Sequence, residues 1–148
     1  MTREIKFRGI PIFGKEFVHG DLIQSKNEAD ERIFTIKKRW DLERSFTEFE
    51  IKPETLGQFT GLKDKNGGKE IYEGDIVKVN DDQDGNRIYK IVFEEGCYYG
   101  DCIYTPTPST TPQKTRLCDL DYYNCWSKEV IGNIHETPEL LNQQPQTK

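Results

Sequence analysis

Residues 57–79 read GQFTGLKDKNGGKEIYEGDIVKV, and this stretch decides the fold class. Leu56–Leu62 and Lys69–Tyr72 are predicted strands that pair across Asn66-Gly67, a dipeptide suited to the positive φ angles of a tight hairpin. Gly74-Asp75 then forms a corner, because glycine accepts positive φ and aspartate bonds neighbouring backbone. The run Ile76-Val77-Lys78-Val79 follows as a strand with Val77 and Val79 on one face. The segment specifies backbone geometry and almost no chemistry.

Working outward, Glu4-Ile5-Lys6-Phe7-Arg8 alternates strictly, which marks a half-buried strand. Phe17-Val18 and Leu22-Ile23 flank His19-Gly20-Asp21, read as a turn leading into a second strand. Its Gly-Asp-apolar-apolar order echoes Gly74-Asp75-Ile76-Val77, which suggests two similar corners. Asn27–Arg32 reads as a loop or helical turn. Ile33–Ile36 and Phe46–Ile51 read as strands, while Lys37–Ser45 fits either a hairpin tip or one helical turn. Asn80–Asn86 is a polar turn, and Arg87–Phe93 alternates with Tyr89, Ile91 and Phe93 on one side. Val130–Ile134 is a last strand, and Pro138-Glu139-Leu140-Leu141 a short helical turn with proline at its start.

The stretch 105–116 holds three prolines and no large apolar side chain, and is expected to be a mobile loop. Residues 143–148 have nothing to bury and are expected to fray. Short strands with frequent turn signals suggest an all-β barrel or sandwich. One domain spanning 1–148 is the natural expectation for 148 residues.

Composition narrows the function classes. The chain is 34% hydrophobic and 32% charged, with a net charge of −5 and a pI of about 5.2. Proteins that coat phosphate backbones carry a basic surplus, so a nucleic-acid partner is disfavoured and would need a local basic face. No apolar run approaches the ~20 residues that span a bilayer, so no membrane association is expected. The first residues lack an apolar signal core, and the chain is expected in the cytoplasm of a bacterial host cell. There the four cysteines default to free thiols.

The Phe59–Val79 block resembles the YopX family of small proteins encoded by bacteriophages and prophages. Arg3-Glu4-Ile5-Lys6-Phe7-Arg8 before it, and Val130-Ile-Gly-Asn-Ile134 with Pro138-Glu-Leu-Leu141 after it, carry the same resemblance in the same order. The resemblance implies a mainly β fold: a small Src-homology-type β-barrel with additional strands and a short C-terminal helical turn. It implies no established activity and brings no catalytic or ligand-binding residues. The sequence departs from the family pattern at Gly68, which suggests a bulged three-residue turn, at Gly9-Ile10, and at His135 and Thr137. The segment Cys97–Trp126 has no recognisable counterpart, and individual function is expected there.

Several constellations invite chemistry. Cys97, Cys102, Cys118 and Cys125 are spaced more widely than the two to four residues favoured in structural zinc sites, so free thiols are the simpler reading. Asn80–Asn86 lacks the glutamate that closes a calcium loop. Only His19 and His135 offer imidazoles, and no glycine-rich phosphate loop is present. No metal, no cofactor and no catalytic set are therefore expected. Lys37, Lys38, Arg39 and Trp40 combine cations with an indole that stacks on a base, against a simple solvated hairpin tip. Tyr98, Tyr99, Tyr104, Tyr122, Tyr123 and Trp126 flank the proline-rich loop and suit partner contact, unless half of them face the core.

These readings converge on a non-enzymatic phage or prophage accessory protein that acts as a β-barrel protein-interaction module. Its protein partner is unspecified, and homo-oligomerisation is one form it could take. The alternative is a small nucleic-acid-binding barrel using Lys37–Trp40.

Overall fold

A computed structural model describes residues 2–40, 45–65, 68–81, 85–106, 114–121 and 127–142. The chain forms two compact units, Met1–Gly61 and Leu62–Lys148. The sequence marks no boundary between them, and each is described by itself.

The first unit is an antiparallel sheet. Its strands are β1 (Phe7–Gly9), β2 (Val18–Lys26), β3 (Arg32–Trp40), β4 (Ser45–Glu50) and β5 (Gly57–Lys63), in the order β4-β3-β2-β1-β5. Ile10, Ile36, Ile51 and Phe59 are its buried apolar side chains. Burying each is worth about 1.5–3 kcal/mol. Thr55 completes this core by accepting the Ile10 N–H at 2.8 Å and donating to the Lys52 carbonyl at 2.7 Å.

His19-Gly20-Asp21 is not a turn: β2 runs through it, and Gly20 sits opposite Phe7. A Cβ on Gly20 would lie 2.2 Å from the Lys37 carbonyl oxygen, so glycine serves close strand approach here, not positive φ. The resemblance to Gly74-Asp75 is therefore one of letters only. Of the run Lys37–Ser45, which fits either a hairpin tip or a helical turn in sequence, Lys37–Trp40 belongs to β3, whose long hairpin with β4 pairs Lys37 with Glu48 and Arg39 with Phe46.

The second unit contains β6 (Glu70–Tyr72), β7 (Asp75–Asp81), β8 (Gly85–Glu94), β9 (Cys97–Tyr104), β10 (Lys114–Arg116) and β11 (Ser127–Asn133). The residues of β5 past Gly61 belong to this unit, where β6 is the next strand, and the other five strands form a sheet in the order β10-β9-β8-β7-β11. Ile71, Val77, Val79, Tyr89 and Ile91 make its core, joined by Leu117 and Leu120 from the 3-10 turn Leu117–Asp121. Val77, Val79, Tyr89 and Ile91 are the residues whose alternation places them on one face. Phe93, predicted beside them, is 48% exposed at the far end of β8.

Gly74 forms the expected corner at φ +88°. The expected Asn66-Gly67 turn lies outside the described residues; on either side of it the Asp64 N–H donates to the Lys69 carbonyl and the Lys69 N–H to the Asp64 carboxylate, both at 2.8 Å. Lys114–Arg116, inside the expected mobile loop, pairs with Asp101–Tyr99, and Lys114 is ion-paired to Glu94. Residues 107–113 and 143–148 lie outside the described residues. The helical turn at Pro138–Asn142 is present as a 3-10 turn.

The mainly β architecture is thus found as two antiparallel sheets. A closed Src-homology-type barrel is not: among the described residues each sheet is open, its first and last strands unpaired with each other.

Candidate interaction surfaces

The basic run is split by strand alternation. Lys37 and Arg39 project from one face of β3, Lys38 and Trp40 from the other. Each cation already has a neighbour. The Lys37 Nζ lies 3.7 Å from the Phe46 ring centre and the Lys38 Nζ 4.2 Å from that of Trp40, while Arg39 pairs with Asp21 at 3.5 Å. The Trp40 Nε1–H donates to the Thr47 Oγ1 at 2.8 Å, which holds the indole along the strand edge. Lys37, Lys38 and Arg39 also line a shallow groove of about 400 Å³ with Lys6, His19, Glu4 and Asp21. That lining is mixed in sign, with the acids beside the bases.

The aromatic set is only partly on view. Tyr98, Tyr99 and Tyr104 stand on β9, all half-buried, while Tyr122, Tyr123 and Trp126 lie outside the described residues. Tyr98 packs against the core and meets Phe93 with ring centres 4.9 Å apart. Tyr99 points to the opposite face, across from Val92. On β9, then, Tyr98 is turned to the core and Tyr99 away from it.

Cys97 and Cys102 are half-buried on β9 and Cys118 is exposed, all three as free thiols, while Cys125 lies outside the described residues. Burial pushes the Cys102 thiol up, against the lowering effect of a backbone hydrogen bond from Tyr104 and of nearby Arg87. A thiol so shifted is a poor nucleophile. Among the described residues no three His, Cys, Asp or Glu side chains gather as metal ligands. No helix there is long and apolar enough to cross a membrane.

The most exposed apolar side chain is one the sequence reading passes over. Pro11–Gly14 is a tight turn closed by the Gly14 N–H on the Pro11 carbonyl at 2.9 Å. Its central residues are Ile12 and Phe13, 39% and 98% exposed. Solvent-facing turns usually place polar residues there. The turn is pinned from beneath: Ile12 N–H donates to the Glu50 carbonyl at 3.0 Å, Lys52 N–H to the Ile10 carbonyl at 2.8 Å, and Pro11 bridges Ile51. An aromatic ring is thus held out on a rigid support, which lowers the entropy cost of contact. The available signal was P-x-x-G with two large apolar residues between.

The motifs that carry the family resemblance do structural work. Asp75, buried, accepts the Tyr72 N–H at 2.8 Å. Asn133 Oδ1 accepts the N–H groups of His135 and Glu136 at 3.0 and 2.9 Å, and Thr137 Oγ1 accepts the Asn133 N–H at 2.9 Å. These bonds satisfy backbone groups at two corners of the fold.

A family model described as YopX protein matches residues 6–142. Among solved structures, the crystal structure of protein yopX from Bacillus subtilis is similar, with a TM-score of 0.54 and 19% identity over 92% of this chain and 95% of that one. At that identity the likeness is one of fold. No curated protein matches the chain.

Proposed function

This chain belongs to the YopX family, and on that premise we propose that it is a non-enzymatic phage or prophage accessory protein acting inside the bacterial cell by contact with another protein. The observation that carries the reading is Phe13, held 98% exposed on a pinned turn beside half-exposed Ile12. An apolar ring kept in water forfeits about 1.5–3 kcal/mol of burial, which an apolar pocket on a partner recovers. Half-buried Tyr99, on the face of β9 opposite core-packed Tyr98, offers a second contact. A photoreactive residue in place of Phe13, irradiated in lysogenic or infected cells, should give one dominant protein adduct. Irradiation that leaves the chain without a protein adduct would overturn the reading.

A second reading rests on the groove lined by Lys6, Lys37, Lys38 and Arg39, which would follow a phosphate backbone. Glu4 and Asp21 in the same lining weigh against it. It requires a band shift at low salt that weakens steeply as salt rises, and its absence removes the reading.

A further inference from the structure

We propose that two copies of this chain pair edge to edge through β4, as antiparallel strands related by a two-fold axis at Thr47. β4 is the outermost strand of its sheet. Two hydrogen bonds fix which way its backbone groups point. The Ile51 N–H donates to the Phe34 carbonyl at 3.0 Å, so odd-numbered residues of this segment face β3. The Glu50 carbonyl accepts from the Ile12 N–H at 3.0 Å, so even-numbered residues face away from it. Such alternation holds along any strand. Among the described residues, the outward N–H and C=O groups of Phe46 and Glu48 meet no backbone partner.

An outward edge of this kind is a template for another strand. The second copy is favoured because β4 complements itself in one register. A two-fold axis at Thr47 sets Phe46 opposite the partner's Glu48, and each such pair exchanges both of its N–H···O bonds through the outward groups alone. Moving the axis to Glu48 opposes that acid to its own copy and calls on the Glu50 carbonyl, already held by Ile12.

Side chains support the same register. On one face, the row across the four strands reads Lys37, Glu48, the partner's Phe46, the partner's Arg39, so no like charges stand opposed. Phe46 is 49% exposed and Trp40 47% exposed, on opposite faces beside this edge. Pairing would cover both. The inference goes beyond the proposed function: it uses β4, not the Ile12-Phe13 turn, and stands or falls without a foreign partner.

The test combines sedimentation velocity with two variants. The native chain should be a reversible dimer. Glu48→Pro removes an outward N–H while leaving the β3–β4 ladder intact, and should weaken dimerisation about 30-fold or more. Thr47→Cys should form a disulfide joining position 47 of one copy to position 47 of the other, because directly opposed residues of this kind sit with Cα atoms ~4.5 Å apart. A chain that stays monomeric at high concentration would overturn the inference. So would a dimer whose Thr47→Cys variant yields no such cross-link, the outcome expected if β4 serves another protein's strand. If Glu48→Pro does not fold, the cross-link alone decides.

Discussion

The backbone N–H of Tyr72 donates to the carboxylate of Asp75 at 2.8 Å, and both residues are buried. Between them Gly74, at φ +88°, donates to the Ile91 carbonyl at 2.9 Å and accepts from the Ile134 N–H at 3.0 Å. One corner thus ties β6, β7, β8 and the exit of β11. Asp75→Ala leaves a buried N–H without its acceptor and should cost about 1–3 kcal/mol. Gly74→Ala should cost about 1–2 kcal/mol from its left-handed backbone. Urea denaturation of both variants checks these values.

A second corner depends on close approach. A Cβ on Gly132 would fall 2.1 Å from Thr137 Oγ1, the atom that accepts from Asn133 N–H and donates to the Asn133 carbonyl. Gly132→Ala should destabilise by about 1–3 kcal/mol through this overlap. Combined with Thr137→Ala, the two losses should sum to less than their separate values, because one obstruction is shared. A double-mutant cycle measures this.

Thiol reactivity should follow burial. Exposed Cys118 should be alkylated first, and half-buried Cys102, its thiol pushed up by desolvation, well after it. Timed iodoacetamide labelling read by peptide mass spectrometry gives the order.

Glu129 lies 3.2 Å from Lys65 and 3.4 Å from Lys78. The hydrogen bond and charge of Lys65, then those of Lys78, hold its carboxyl below the ordinary range. A lowered carboxyl stabilises the fold above its unfolded value and loses that contribution as pH falls through the folded value. In an NMR titration Glu129 should therefore ionise at lower pH than a free glutamate. Added salt should move it back, as screening of a surface network requires.

Sequence alone reveals those parts of the fold that local rules govern. Alternation exposes the Val77, Val79, Tyr89 and Ile91 face, and glycine chemistry exposes the Gly74 corner. Gly20 misleads because its requirement is the Lys37 carbonyl, far along the chain. The β8–β9 hairpin escapes because its turn is Glu95-Gly96, with φ of 50° and 79°, in place of the usual Asn-Gly. The basic run is ambiguous in sequence because Lys37-Lys38-Arg39 puts a cation on both faces, so no periodicity separates strand from turn there. Phe13 does not stand out in sequence as a surface feature: Ile10 and Phe13 read alike, yet Ile10 is buried and Phe13, inside the Pro11–Gly14 turn, is presented to solvent.

The central claim, that this protein works by surface contact, is tested most directly by Phe13→Ser. At 98% exposure the substitution should change stability by no more than about 0.5 kcal/mol. Affinity capture from infected or lysogenic cells, native and variant side by side at matched melting temperature, is the measurement. The account predicts a protein recovered with the native chain and lost with Phe13→Ser. Equal recovery by both chains, or none by either, would contradict it.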